Sequence, residues 1–283
     1  MNKELFNIWD VYDCSRGDQM NQEKISEQNK KSWSQSAYKA WVNRHGYPNE
    51  YAQTLKKDPV NAVSHYLHYM DNVKGKKIAN LLGSKGKKAV SFALLGADVT
   101  VVDISHDNQK YALELAKATG VKIKYIVSDV LMIPEEEKLA DFDYILLELG
   151  VLHYFVDLSP LFALIYNALK PGGVFILRDF HPFAAKVVNA GEKGNYFEET
   201  VLEGAVASSS LLSERERSNL EKVLVRRWTL GEVVTSVVQA GLEIKKLEEE
   251  KGVRWAFSDG APVGIENRVP GLFTMITSKP FKE

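Results

Sequence analysis

A short loop with two glycines, followed by a carboxylate, is the first arrangement in this sequence that could bind a ligand. The loop reads NLLGSKG over residues 80–86, and Asp103 ends the next apolar run, ADVTVVD. A loop from strand to helix can bring backbone N–H groups close to a ligand if a small residue stands at its tightest point. An acid about 20 residues after such a loop lies where a ribose would bind, and its oxygens suit the paired hydroxyls. An N-cap for the following helix is the alternative role of Asp103.

Two other nucleotide-binding loops can be tested on the same letters. A P-loop requires Gly-x-x-x-x-Gly-Lys-Ser/Thr, but Leu81 and Lys88 occupy its first and last positions. An NAD dehydrogenase requires Gly-x-Gly-x-x-Gly, whereas only Gly83 and Gly86 are present. We therefore expect neither of these sites. The lysines of the loop are interpreted as a solvated helix face: Lys85, Lys87 and Lys88.

The elements that must position this loop alternate between strand and helix after Gly75. Helical segments are predicted at residues 86–95, 105–119 and 157–169. The apolar runs around them are KKIANLL, ADVTVVD, VKIKYIVSD, FDYILLEL and GVFILRDF. Such alternation predicts a parallel sheet covered by helices on both faces. No helix of useful length separates LEIKKLEEE from GLFTMITSKP, so the last strand is expected to return antiparallel.

In this order, the elements resemble the class I, Rossmann-like S-adenosylmethionine (SAM) methyltransferases of the type that modifies small molecules. The resemblance covers roughly residues 75–280. It rests on the loop, Asp103, SDV at 128–130, ELGVLHYF at 148–155, LKPGG at 169–173 and the final strand pair. It implies an α/β fold with a doubly wound, mainly parallel seven-stranded sheet and a last antiparallel strand. It also implies SAM as the cofactor and S-adenosylhomocysteine (SAH) as the product.

The loop departs from the pattern of that family, which is acid-x-Gly-x-Gly-x-Gly. Asn80, Leu82, Ser84 and Gly86 stand at the four fixed positions, so only the last glycine is kept. A plain turn from strand to helix is therefore the alternative to a cofactor loop. By the resemblance, Asp103 binds the ribose and Asp129 the adenine amino group, with a surface turn as the alternative for Asp129. The expected cofactor-binding residues are Leu82, Gly83, Ser84, Gly86, Asp103, Ile104, Asp129, Val130 and Leu149.

Methyl transfer from a sulfonium requires alignment and exclusion of water more than covalent catalysis. The acceptor is expected beyond the carboxyl ends of the first and fourth core strands, where Glu148, His153 and Tyr154 are the catalytic candidates. His153 is the candidate general base because imidazole titrates near neutral pH, with a structural or cofactor-stacking role as the alternative. Asp179 and His181 are expected to bind the acceptor at the same rim. No local spacing typical of a metal site is present, so no metal is expected.

Residues 1–74 are predicted to form a helical lid over the acceptor. One helix shows Trp33, Tyr38 and Trp41 on the same side, and a second is expected to begin at Asp58. Aromatic walls suit an apolar pocket or a cation, so these three residues are candidates for binding the substrate. A stripe that packs on the core is the alternative.

The predicted methyltransferase domain occupies residues 75–283. It contains an insertion after the fifth strand, residues 181–227, which shows no strand rhythm and is expected to help cover the acceptor. Arg227 is a candidate ligand for an anionic acceptor, with a surface ion pair as the alternative.

Composition restricts the partner and the compartment. The 36 Lys and Arg residues nearly balance the 37 Asp and Glu residues, so no net charge attracts nucleic acid or an anionic membrane. No stretch approaches the ~20 apolar residues of a membrane span, the start lacks a signal-peptide run, and Cys14 is the only cysteine. Together with the resemblance, which implies the activity, these features lead us to expect a cytoplasmic SAM-dependent methyltransferase acting on a small molecule. A SAM- or SAH-binding protein of the same fold without turnover is the alternative.

Overall fold

The computed structural model describes residues 11–13 and 21–281, and Cys14 lies outside this part of the chain. The predicted lid segment is therefore described only from residue 21 onward, apart from three strand residues. The strands are β1 Val11–Asp13, β2 Lys77–Leu81, β3 Asp98–Asp103, β4 Lys124–Val127, β5 Phe142–Glu148, β6 Leu169–Phe180, β7 Val201–Gly204, β8 Val223–Arg226, β9 Glu243–Glu250 and β10 Leu272–Ser278. The helices are α1 Gln22–Trp33, α2 Ala37–His45, α3 Pro48–Lys57, α4 Ser64–Leu67, α5 Lys87–Leu94, α6 His106–Thr119, α7 Ser159–Ala168, α8 Glu214–Arg217 and α9 Leu230–Gln239.

The main sheet has seven strands in the order β4-β3-β2-β5-β6-β10-β9. The first five run parallel to one another, whereas β10 runs antiparallel to both β6 and β9. Residues 251–271 between β9 and β10 hold only two single-turn 3-10 helices, so a parallel crossover could not form there. The doubly wound sheet and its antiparallel last strand are thus confirmed.

Both faces of the sheet are buried because successive strand residues point to opposite sides. On β5, Ile145 and Leu147 pack in the cluster that contains α7 and α9. Tyr144 and Leu146 pack in the opposite cluster, which contains α5 and residues 63–73. Continuous apolar runs, rather than alternating ones, are the consequence of this two-sided burial.

The predicted aromatic helix is broken into two. α1 ends at Trp33 and α2 begins at Ala37, and Ser36 between them takes the left-handed conformation with φ 62°. That conformation interrupts the helical hydrogen-bond ladder. Trp33 and Trp41 consequently lie on different helices instead of one continuous face.

The second predicted helix is much shorter than expected. It was expected to begin at Asp58 and Pro59, whereas residues 59–63 form turns and α4 covers only Ser64–Leu67. Asp58 accepts a hydrogen bond from Asn61 N at 3.1 Å, but this bond closes a turn instead of starting a helix. An additional helix, α3, precedes it, with Pro48 at its first helical position and Asp58 as its C-cap.

The insertion contains strands, contrary to the prediction. β7 and β8 pair antiparallel, and β1 adds to the other edge of β7, giving a three-stranded sheet in the order β1-β7-β8. These strands are three or four residues long, too short for an alternating pattern to stand out. Their pairing with a distant segment near the N-terminus is what orders them.

Candidate functional site

The carboxyl ends of β2, β3, β4 and β5 open into one cavity of about 360 Å³. It lies where the strand order reverses between β2 and β5, the usual ligand position in open α/β sheets. The remaining walls come from α1, α2, the loop after β5, Ala207 and Trp255. Most of the predicted cofactor residues line this cavity: Leu82, Gly83, Ser84, Asp103, Ile104, Asp129, Val130 and Leu149.

The loop after β2 keeps a glycine-like backbone without the glycines. Leu82 has φ 48° and Ser84 has φ 49°, both in the left-handed region, and both stand at positions where the family pattern has glycine. An L-residue costs roughly 1–2 kcal/mol in that conformation. The loop therefore adopts at Leu82 and Ser84 a conformation that glycine would adopt without strain.

The two glycines that are present, Gly83 and Gly86, lie where the neighbouring atoms leave no room for a Cβ atom. A Cβ on Gly83 would lie 2.8 Å from Val101 Cγ1 and 2.9 Å from the side-chain oxygen of Asn80. A Cβ on Gly86 would lie 2.6 Å from the Cβ of Ala112 on α6, and Gly86 itself has φ 73°. Gly86 is not among the residues that line the cavity, so its requirement comes from helix packing rather than from the ligand.

Asp103 is held at the centre of the loop by three hydrogen bonds. Its Oδ2 accepts from Ser84 N at 2.9 Å, and its Oδ1 accepts from Ser105 N at 2.9 Å and Asn108 Nδ2 at 3.0 Å. Burial raises the pKa of Asp103 against these bonds. Ser105, not Asp103, caps α6, because its Oγ accepts from Asn108 N at 3.2 Å. Each carboxylate oxygen can accept two bonds, so Oδ2 retains capacity toward the cavity.

The two residues predicted to bind the adenine, Asp129 and Val130, both line the cavity at the end of β4. Asp129 follows β4, is half-buried, and accepts a hydrogen bond from Leu131 N at 2.9 Å through Oδ1. Val130 beside it is buried and also lines the cavity. Asp129 thus stabilises a turn and also faces the cavity, so its position is compatible with both predicted roles, the adenine ligand and the turn acid.

Glu148 lines the cavity as one half of an ion pair. Its Oε1 is 2.9 Å from Lys88 Nζ, and the hydroxyl of Tyr66 donates to its other oxygen. Burial alone would raise the pKa of Glu148, but Lys88 and Tyr66 outweigh it and hold the pKa below its usual value. Asn80, where the family has an acid, is buried away from the cavity, and its amide has no hydrogen-bond partner among the residues described.

His153 lines the cavity but does not titrate near neutral pH, contrary to the expectation for a general base. Burial, with the nearby charge of Arg227, lowers the pKa of His153 to about 3. Its Nε2 is buried and has no partner in the described part of the chain. Burial raises the pKa of Tyr154, whose hydroxyl accepts a bond from Trp33 Nε1 at 3.1 Å. The neutral imidazole can accept or donate a hydrogen bond without carrying charge.

α1 closes the cavity by binding to two distant segments. Gln22 donates to Tyr154 O at 3.0 Å and accepts from Val156 N at 2.9 Å. Asn29 pairs with both backbone groups of Leu224 on β8, at 2.7 and 3.0 Å. The helix therefore joins the loop after β5 to the sheet of the insertion, and Trp33 on it lines the cavity.

Of the other lid aromatics, Trp41 lines the cavity and Tyr38 does not. Trp41 is 2% exposed, and its Nε1 donates to Asn108 Oδ1 at 2.8 Å. It packs with Tyr51 and other core residues, so it is both a wall and a core side chain. Tyr38 instead hydrogen-bonds Glu114 on α6, which places it outside the predicted substrate site.

The residues that were predicted to bind the methyl acceptor after the fifth strand form hydrogen bonds with other parts of the protein. Asp179 accepts from the backbone N–H groups of Gly150 and Leu152, at 2.6 and 3.2 Å, and thereby holds the loop after β5. His181 is bonded to Glu249 at 2.8 Å and lines neither cavity. Arg227 donates to a backbone oxygen of the insertion, and burial lowers its pKa to about 10. Asp179 and Arg227 line a smaller cavity of about 60 Å³, which shares His153 with the main one.

Four cations in the cavity wall were missed. Lys85, Lys87 and Lys88 line the cavity instead of forming a solvated helix face, and Arg44 of α2 joins them. The sequence carried one signal for the three lysines: cations at a helix N-terminus oppose the helix dipole, which argues against their interpretation as a solvated helix face. Nothing local indicated Arg44, which reaches the cavity only through the docking of α2. Within residues 11–13 and 21–281 no group of His, Cys, Asp or Glu side chains is arranged to hold a metal ion.

The loop, Asp103 and Asp129 together fit a nucleoside cofactor. Comparison with known proteins agrees with the family resemblance seen in the sequence. Residues 82–177 match the family model described as "Methyltransferase domain". This part of the chain is therefore similar to a methyltransferase domain. A search of curated proteins finds no match to the sequence.

Solved structures similar to this chain share its fold at low sequence identity. A SAM-dependent methyltransferase from Mesorhizobium loti has 20% identity and a TM-score of 0.57, over 77% of this chain and 97% of the other. Magnesium protoporphyrin IX methyltransferase from Synechocystis, with bound SAH, has 12% identity and a TM-score of 0.56, over 90% and 99%. The [4+2]-cyclase SpnF has 15% identity and a TM-score of 0.51, over 81% of each chain. In the part of the chain described here, no helix is long and apolar enough to cross a membrane.

Proposed function

We propose that this protein transfers the methyl group of SAM to a small-molecule acceptor bound in the main cavity. The observation that carries the proposal is the closure of that cavity by α1. Gln22 and Trp33 bond the helix to the loop after β5, and Asn29 bonds it to the insertion. These contacts hold α1 across the cavity, whose volume of about 360 Å³ suits a small acceptor.

The cofactor is proposed to lie across the carboxyl ends of β2 to β5. Asp103 Oδ2 would accept from a ribose hydroxyl, and Asp129 and Val130 would border the adenine. Glu148 is the carboxylate available to the ammonium group of the cofactor, a role that the buried Asn80 cannot serve from outside the cavity. The sulfonium would then face the loop that carries His153 and Tyr154.

The candidate catalytic residues are suited to aligning the acceptor rather than to removing a proton. His153 is neutral across the physiological range, Tyr154 holds its proton, and Glu148 is paired with Lys88. We infer that the acceptor atom is already nucleophilic when it enters the cavity. A carboxylate oxygen, a thiolate sulfur or the nitrogen of an uncharged amine would meet this requirement. His153 Nε2 would then orient the acceptor by a hydrogen bond, and the closed cavity would exclude water.

A SAM- or SAH-binding protein without methyl transfer is the second candidate. Two observations favour it: the strained, substituted loop at Leu82 and Ser84, and the absence of a neutral-range base among His153, Tyr154 and Glu148. The fold alone does not decide, since SpnF shares it and is named a cyclase.

The test combines calorimetry with a search for product. SAM and SAH should bind, and mass spectrometry should detect SAH and a methylated product when a mixed pool of small metabolites is added. His153→Gln should lower turnover, whereas the matched control His181→Gln should not, because His181 bonds Glu249 away from the cavity. Binding of SAM without product across the pool would favour the second candidate, and failure of both ligands to bind would refute both.

A further inference from the structure

The smaller cavity of about 60 Å³ lies beside the main one, between the loop after β5 and the insertion. His153 and Phe180 line both cavities and form the boundary between them. A Cβ atom on Gly150 would lie 3.3 Å from His153 Cε1 and 3.5 Å from a ring carbon of Phe180, so both rings pack close to this glycine. A ligand that contacts His153 from the main cavity therefore lies next to the smaller one.

The walls of the smaller cavity are mainly apolar. β8 supplies Val223 and Val225, α9 supplies Val233 and β10 supplies Phe273, and each of these side chains is buried. An apolar cavity tends to stay dry, because water inside it would lack hydrogen-bond partners. It is therefore better suited to apolar atoms of a ligand than to water.

Three polar side chains of the lining are already hydrogen-bonded within the protein. Asp179 accepts from two backbone N–H groups of the loop after β5, and Trp228 Nε1 donates to a backbone oxygen of the same loop at 3.0 Å. Arg227 donates to a backbone oxygen of the insertion at 2.9 Å. By contrast, His153 Nε2 is buried and has no hydrogen-bond partner in the described part of the chain. A polar ligand atom can thus bind at the boundary, whereas the interior offers mainly apolar contacts.

The volume of the smaller cavity restricts the size of the apolar group. One water-sized group needs about 10–15 Å³, so 60 Å³ accommodates roughly four of them. An apolar cavity that binds benzene has a volume of about 150 Å³, well above this value. The cavity therefore fits a short alkyl group and not an aromatic ring.

We propose that the smaller cavity receives a short alkyl group of the methyl acceptor, and that the acceptor is a small aliphatic acid, thiol or amine. Its nucleophilic atom hydrogen-bonds His153 Nε2 at the boundary, and up to about four carbon atoms lie beyond Phe180. The inference rests on the proposed function and narrows its substrate class. It also makes the residues that line the smaller cavity determinants of specificity.

Two pairs of probes test the inference, acetate with isovalerate and methylamine with isobutylamine. Each compound is titrated by calorimetry into protein saturated with SAH. Within a pair the polar group is the same and isobutyl replaces methyl. This change adds three carbon atoms, and each buried carbon contributes about fourfold, so the isobutyl compound of at least one pair should bind about 60-fold more tightly. Benzoate should bind more weakly than isovalerate, because its ring exceeds the volume available.

Two variants change the volume of the cavity in opposite directions. Ala185→Leu places an isobutyl group in the cavity and should abolish the preference for the isobutyl probes. Ala190→Leu is the matched control, because Ala190 is also a half-buried alanine of the insertion but lines neither cavity. Val225→Ala enlarges the cavity and should raise the affinity for benzoate relative to isovalerate, which keeps the test decisive if Ala185→Leu does not fold.

The outcomes separate this inference from the proposed function. If SAH binds but the methyl and isobutyl compounds bind equally in both pairs, the inference is overturned and the proposed function stands. The same holds if benzoate binds the unaltered protein more tightly than isovalerate, or if Ala190→Leu loses the preference as fully as Ala185→Leu. If SAH does not bind, the proposed function falls and the inference falls with it.

Discussion

Replacing Asp103 by asparagine tests the position of the cofactor most directly. Asparagine keeps one oxygen, which can still accept from Ser105 N and Asn108 Nδ2, but places an NH₂ group where Oδ2 accepts from Ser84 N. One protein hydrogen bond is lost, and a buried backbone N–H loses its partner. We expect the free energy of unfolding to fall by about 1–3 kcal/mol.

The same substitution should weaken cofactor binding by more than its effect on the fold explains. The NH₂ group cannot accept a bond from a ribose hydroxyl, so about 1.5–3 kcal/mol of binding energy should be lost, or about ten- to a hundredfold in affinity for SAH. Calorimetry gives the affinity and urea denaturation the stability. Thr119→Val is the control, because Thr119 is buried at the far end of α6 and its hydroxyl bonds only the backbone oxygens of that helix.

The control should lose stability without losing SAH affinity. Asp103→Asn binding SAH as tightly as the unaltered protein would refute the ribose assignment, whatever its stability. Equal losses of affinity in Asp103→Asn and Thr119→Val would attribute the effect to the fold and refute the specific contact.

Four further predictions concern strain, two tryptophans, the lid and pH. Ser84→Gly should raise the free energy of unfolding by up to about 1 kcal/mol, because the relief of left-handed strain exceeds the added chain entropy; Ser84→Ala keeps the strain, and equal urea midpoints for the two would contradict this. Trp41→Ala should cost about 3–5 kcal/mol of stability, whereas Trp33→Ala should lower turnover more than stability; equal thermal shifts would count against this division. Hydrogen exchange over residues 22–45 should slow on adding SAH, and strong protection without SAH would rule out a lid. Below pH 6.5 His153 becomes protonated in the unfolded chain, whereas in the folded chain it stays neutral until about pH 3. The free energy of unfolding should therefore fall by about 1.4 kcal/mol per pH unit in that interval because of His153. If His153→Gln shows the same dependence of unfolding free energy on pH, this prediction is refuted.

The core of the fold was readable from the sequence because its signals are local. Apolar runs buried on both faces differ in composition from one-sided strands, and the short span between β9 and β10 leaves no room for a crossover. The place of the loop that we propose to bind the cofactor was readable for the same reason. Its position between β2 and α5, with Asp103 at the end of β3, follows from element order even where Leu82 and Ser84 replace glycines.

The role of single side chains was less predictable where a neighbour in space changes it. His153 was expected to titrate near neutrality, but burial removes that property. Asp179 was expected to face the acceptor, yet the backbone N–H groups of the loop after β5 occupy it. The sequence around each residue indicates neither effect, because desolvation and hydrogen-bond partners depend on the packed structure.

The sequence by itself determined the parallel core, the antiparallel last strand and the place of the cofactor loop, because each depends on periodicity or spacing between near neighbours. Tertiary structure alone decided how the cavity is closed and charged. Asn29 meets Leu224 across 195 residues of chain, and Arg44 joins Lys85 only after α2 has docked. Such contacts form between segments whose sequences carry no mutual signal, so their partners are chosen by the free energy of packing the whole chain.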